Sequence, residues 1–168
     1  NYTLYKKIDK AKIKGKDLTF VGQGRGVTTW QIGPEKPDPK LYGTEYNGDY
    51  SFDGAGKITF KNMKLCTGAK DYLGFIRPDQ TVVDHCEIYG RASYWGYTSA
   101  VFTDTTFYAP PFDYAIWTYS SPTMKFDHCT FKASGKVINV YREGTVGTAG
   151  NPIVLNFNDC EVFSSDAN

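Results

Sequence analysis

Five stretches of the chain repeat one order of apolar and polar positions. They are ITFKNMKL at 58–65, TVVDHCEI at 81–88, AVFTDTTF at 100–107, MKFDHCTF at 124–131 and LNFNDCEV at 155–162. Positions one, three, six and eight are mostly apolar, while four and five are polar or charged in every copy. Alternation with a period of two predicts strand. The doubled polar step at positions four and five breaks that alternation and predicts a bend between two short strands. A more divergent copy, LTFVGQG at 18–24, precedes the five.

A second set of strands is predicted between the copies: YLGFIR at 72–77, YWGYTS at 94–99, YAIWTY at 114–119 and KVINVY at 136–141. Each unit is then a coil of about three short strands. The starts of the five copies differ by 23, 19, 24 and 31 residues. The 19-residue unit leaves no room for a helix. Self-similarity at this period is the signature of a solenoid. Its strands stack in parallel about 4.8 Å apart, and crossovers between parallel strands are almost always right-handed.

The repeat, together with LTFVGQGRGVTTW at 18–30, resembles the right-handed parallel β-helix of pectate-lyase-like proteins. In those domains a strand, a Gly-x-Gly turn and a Thr open the solenoid. The resemblance runs from about residue 12 to 162. It implies an all-β, single-stranded right-handed parallel β-helix of about six short coils, but no particular activity, because the architecture hosts lyases, hydrolases, esterases, adhesins and non-catalytic binders.

At 168 residues the chain is long enough for one domain with a core. One domain, 1–168, is expected, with an N-terminal end or cap at 1–17 and surface insertions at 33–50 and 142–152. A chain that opens on Asn1 and closes on SSDAN is expected to be excised from a larger, flanking-domain-bearing surface protein. A net charge of +1 gives no general attraction to nucleic acid. Lys6, Lys7, Lys10, Lys12, Lys14 and Lys16 crowd one end, as expected for a solvated face. No apolar run approaches the roughly 20 residues of a membrane span.

Cys86, Cys129 and Cys160 all occupy position six. Cys86 and Cys129 are two coils apart, roughly 9.6 Å, which is too far to bond. Cys129 and Cys160 are on adjacent coils, where stacked side chains give poor disulfide geometry. Buried thiols acting as small hydrophobes are expected, with Cys66 in a turn.

Position five forms a column: Asn62, His85, Asp104, His128 and Asp159. His85, Asp104 and His128 are candidate metal ligands or an acid–base set. The plainer reading is a polar ladder that pins the bend, and it is favoured because every copy demands a polar residue there. Asp49, Ser51 and Asp53 match the first half of an EF-hand-like loop, making calcium a possible cofactor. Position 12 of that loop is Phe60 rather than Glu. For a lyase-like chemistry, Arg77 and Asp79 are the catalytic candidates. The Asn-Thr-Asp, Asp-Asp and Gly-His-Gly motifs of polygalacturonase-like enzymes do not occur, which argues against catalysis.

Alternation splits the second strand set into two faces. Gly74, Ile76, Gly96, Thr98, Ile116, Thr118, Ile138 and Val140 are expected inside. Phe75, Arg77, Trp95, Tyr97, Trp117, Tyr119, Asn139 and Tyr141 are expected outside, where they would form an aromatic platform with polar contacts. Such a face suits the apolar side of sugar rings. The expectation is non-catalytic recognition of a polysaccharide or glycan by a secreted or cell-surface domain of bacterial type, an adhesin or carbohydrate-binding module. A polysaccharide lyase and a structural stalk segment are the alternatives.

Overall fold

The computed structural model describes residues 2–4, 9–32, 52–67, 72–109, 114–118, 123–140 and 147–164. Its strands form three sheets. A seven-stranded sheet holds, in order, β1 (Tyr2–Leu4), β3 (Thr29–Ile32), β5 (Lys64–Thr67), β8 (Glu87–Tyr89), β11 (Thr106–Tyr108), β14 (Thr130–Ala133) and β17 (Glu161–Ser164). A six-stranded sheet holds β2 (Asp17–Val21), β4 (Lys57–Lys61), β7 (Gln80–Asp84), β10 (Ser99–Thr103), β13 (Thr123–Asp127) and β16 (Val154–Asn158). A four-stranded sheet holds β6 (Tyr72–Ile76), β9 (Arg91–Trp95), β12 (Ile116–Thr118) and β15 (Ile138–Val140). Every ladder within the sheets is parallel, as in the β7–β10 pair. From β4 onward the chain visits the six-, seven- and four-stranded sheets in turn and returns beside its starting strand. This all-β arrangement is compatible with a parallel β-solenoid.

The pattern of positions one, three, six and eight is the pattern of burial. Ile58, Phe60, Met63 and Leu65 are buried, as are their counterparts in the next three copies, through Met124, Phe126, Cys129 and Phe131. Registers align them coil over coil. Phe60 pairs with Val83, Val83 with Phe102, Phe102 with Phe126, and Phe126 with Phe157. The divergent first copy joins this column, since Phe20 pairs with Phe60.

The bend has a specific backbone cause. Asn62, His85, Asp104, His128 and Asp159 all have positive φ, between 46° and 53°. Asn, Asp and His are the non-glycine residues most enriched in this left-handed region. One such residue turns the chain from the six-stranded to the seven-stranded sheet. The carbonyl before it, at position four, then accepts two hydrogen bonds. The Asp84 carbonyl accepts from Asn62 N, at 3.1 Å, and from Cys86 Sγ, at 3.4 Å. The Thr103 carbonyl accepts from His85 N, at 3.0 Å, and from Thr105 Oγ1, at 2.9 Å. Asp127 with Cys129, and Asn158 with Cys160, repeat the arrangement. In the second to fifth copies position six therefore takes a small side chain with a donor, Cys or Thr, whereas the first copy has Met63 there. No disulfide joins these thiols. Cys66 lies in β5, not in a turn.

The third strand set departs from the expected alignment. β9 is residues 91–95, not 94–99, and Ile76 pairs with Trp95. Register shifts around Gly74 displace the β6–β9 pair. Gly96, at φ +119°, ends β9, and Ser99 opens β10. Trp95 is consequently in the core, 2% exposed, with its ring 5.2 Å from Phe102. Ala115 is buried as well, and Val140 is exposed rather than inside. The β12–β15 register, with Ile116 opposite Ile138 and Trp117 opposite Asn139, is as the alignment expects.

The two ends differ. At the first, α1 (Lys10–Ile13), capped by the Asp9 carboxylate, turns Ile13 into the core. Phe52 packs there against Phe20, Trp30 and Phe60. At the other, the inward positions of the last coil are open to solvent, with Phe157 51% and Val162 62% exposed.

Candidate functional site

The predicted platform residues fall into three groups. Tyr119, Tyr141, Asp49 and Ser51 lie outside the described residues, as do residues 33–50 of the first insertion. For Phe75 and Trp117 the strand placement is described and the side chain is not. The remainder can be placed: Trp95 is in the core, Asn139 is half-buried on β15, and Arg77, Asp79 and Tyr97 meet at one turn.

That turn is built by two successive coils. After β6 the chain passes through Arg77, Pro78 and Asp79, and after β9 through Gly96, Tyr97 and Thr98. The Asp79 carbonyl accepts from Thr98 N at 2.9 Å, Thr98 Oγ1 at 3.0 Å and Tyr97 N at 3.1 Å, and the Pro78 carbonyl also accepts from Tyr97 N. Gly96 is required here. A Cβ would sit 2.6 Å from the Ser99 carbonyl oxygen and 3.2 Å from that of Asp79, at a φ that L residues rarely adopt. The result is a Tyr97 ring 42% exposed on a backbone held by hydrogen bonds.

Charged groups stand beside it. Lys10 Nζ is 2.9 Å from Asp53 Oδ2. The hydrogen bond and the charge of Asp53 raise the Lys10 pKa, and Lys10 also feels Tyr97 and Arg77. Asp53 is thus paired with a lysine. Arg77 is half-buried, and its charge is felt at Lys10.

The corner column lies on a different edge of the molecule. His85 Nδ1 is 2.6 Å from Asp84 Oδ1, and its Nε2 is 3.4 Å from Asp104 Oδ2 on the next coil. His128 repeats this, with Nδ1 3.2 Å from Asp127 Oδ1 and Nε2 3.6 Å from Asp159 Oδ2. Lys61 Nζ is 3.3 Å from Asp84 Oδ2. Burial works against ionisation of Asp84, but hydrogen bonds from His85 and Lys61 outweigh it and hold the carboxyl below its ordinary value. Asn158 Nδ2 donates to Asp127 Oδ1. His85, Asp104 and His128 are therefore consecutive rungs, and each is also a left-handed corner residue.

One aromatic column has no counterpart in the expected platform. Tyr89 and Tyr108 stack with centroids 4.2 Å apart and planes 6° from parallel. Lys64 Nζ sits 4.1 Å from the Tyr89 ring and Lys132 Nζ 5.1 Å from the Tyr108 ring. Both outer ring faces are covered by ammonium groups, so the column offers edges and hydroxyls rather than a flat face. The Tyr89 hydroxyl is pushed up by burial, by the Tyr108 hydroxyl and by Glu87, to which it donates at 3.2 Å. The signal was one residue past the repeat. Position nine reads Cys66, Tyr89, Tyr108, Lys132 and Phe163.

No family model matches the chain, and neither a curated protein nor a solved structure is significantly similar to it.

Proposed function

We propose that the chain is a right-handed parallel β-helix of the pectate-lyase-like kind and that it recognises a polysaccharide or glycan without catalysis. The observation that carries this reading is the exposed Tyr97 ring on its hydrogen-bonded turn, with Arg77, Lys10 and Asp53 beside it. Sugar recognition needs a rigid ring for the apolar face of a pyranose and fixed donors and acceptors around it. Stiff backbone lowers the ordering cost of binding. Right-handedness follows from the parallel crossovers. In this reading Trp117, opposite Asn139 in the four-stranded sheet, extends the surface. The setting would be a secreted or cell-surface domain, with flanking domains of a larger protein as partners.

The test is a glycan array followed by calorimetry on any hit. Tyr97→Ala should weaken binding about tenfold or more while leaving the melting temperature unchanged, and Trp117→Ala should weaken binding likewise, since aromatic anchors dominate such interfaces. Absence of binding across polysaccharide classes would overturn the proposal. Release of unsaturated product that is lost in Arg77→Ala would favour a lyase instead.

A further inference from the structure

We infer that the corner column holds two divalent transition-metal sites, one between His85 and Asp104 and one between His128 and Asp159. Each histidine has a carboxylate at both ring nitrogens. A neutral imidazole carries one N–H. If His85 Nδ1–H donates to Asp84, 2.6 Å away, Nε2 presents a lone pair to the Asp104 carboxylate, and two acceptors face each other. A cation between them, either a second proton on the ring or a metal ion, removes the conflict. The separation selects which cation. Charge-assisted N–H···O bonds are about 2.7–2.9 Å long, whereas the Nε2–Oδ2 gaps are 3.4 and 3.6 Å. A tetrahedral ion with ligands at about 2.0–2.2 Å places neighbouring ligand atoms roughly 3.3–3.6 Å apart. Both gaps have that length.

The surroundings agree. At the first site the ligand atoms of Asp84, His85 and Asp104 lie within 4.8 Å of one another, while the second rests on its Nε2–Oδ2 gap and on the repeated Asp-His dipeptide. Asp84 and Asp127 occupy the second nitrogen of each ring, the usual device for fixing a metal-binding tautomer. Lys61 pairs with Asp84 and not across the Asp104 gap. The rings are half-exposed, so water completes the coordination. Imidazole with carboxylate suits Zn²⁺ and Cu²⁺. The two sites are two coils apart, roughly 9.6 Å, and arise from one repeated dipeptide, Asp84-His85 and Asp127-His128.

Calorimetric titration of the 168-residue chain with Zn²⁺ should give two equivalents. His85→Asn and Asp104→Asn should each leave one, and a His85→Asn/His128→Asn chain none. Asparagine already occupies the same left-handed corner at Asn62, so these variants keep the fold, as far-UV circular dichroism will check. Electron paramagnetic resonance of the Cu²⁺ form should show one imidazole nitrogen per ion. No Zn²⁺ binding up to about millimolar concentration would overturn the inference. Binding unchanged in the double variant would overturn it as well. Imidazole signals that titrate without ever responding to metal would assign the gaps to a proton and likewise refute it.

Discussion

The rings of Phe102 and Phe126 lie 5.1 Å apart and within 4° of parallel, on residues paired in register between β10 and β13. Phe157 continues this column at 4.8 Å from Phe126. Phe107 and Phe131 form a second one across the core, also at 4.8 Å. Each ring is packed by the same position of the coil before and after. Phe102→Ala should therefore cost about 3–5 kcal/mol. Phe157→Ala, at the half-exposed end of the same column, should cost much less. Urea unfolding of the two variants compares them directly.

The corner predicts a backbone effect separate from packing. His128 sits at φ 53° with its side chain half-exposed. His128→Val should lose about 1–2 kcal/mol, because a β-branched residue is strained in the left-handed region. His128→Asn and His128→Gly should lose little. Equal losses in all three variants would mean that side-chain pairing, not φ, holds the bend.

Asp84 gives a pH dependence. A carboxyl whose value falls on folding adds stability that is complete above its ordinary value, 3.8, and is lost as pH drops through the lowered one. Asp84→Asn should thus be destabilising at about pH 6, with the difference from the parent shrinking as pH falls below 3.8 and through the lowered folded value. Denaturation midpoints measured across that range would show the difference shrinking toward acid.

The thiols should report on folding. Burial raises the Cys86 thiol, and burial followed by the neighbouring Cys160 pushes Cys129 up to about 11. Only the thiolate reacts. In the native chain at about pH 8, Cys86 and Cys129 should resist iodoacetamide, and both should be alkylated in denaturant, as peptide mass spectrometry would show. Half-buried Cys160 and Cys66 should react earlier.

Trp95 is the sharpest check on the core. Among the described residues its buried Nε1–H has no hydrogen-bond partner. Trp95→Ala should cost about 3–5 kcal/mol by opening a cavity. Trp95→Phe should cost far less, because it also removes an unsatisfied donor that is worth roughly 1–3 kcal/mol. Glycan binding should follow Tyr97 and not Trp95.

The parallel all-β pattern was legible because inward positions of stacked strands repeat. Four copies with buried residues at positions one, three, six and eight leave few alternatives, and the polar pair between them marks the turn. The conformation of that turn was implicit in its residues, since Asn, Asp and His share tolerance of positive φ. The third strand set was harder. Its strands span three to five residues, too few for alternation to fix a face, and Gly96 resembles a small inward residue when it is a turn. Tryptophan suits either a core or a binding surface, so Trp95 was misplaced by the same alignment that placed Ile116 correctly. The Tyr89–Tyr108 column falls just beyond the last apolar position of the repeat, where alternation carries no signal.

The left-handed corner leaves the outward side chain almost irrelevant to the core. Any residue that accepts the conformation can stand there without repacking a single phenylalanine. The edge of the molecule is in effect a ruler with a graduation every 4.8 Å or so, on which amide, imidazole or carboxylate can be written in any order. A chain built this way can change the chemistry it displays at the pace of single substitutions, while its interior stays as it is.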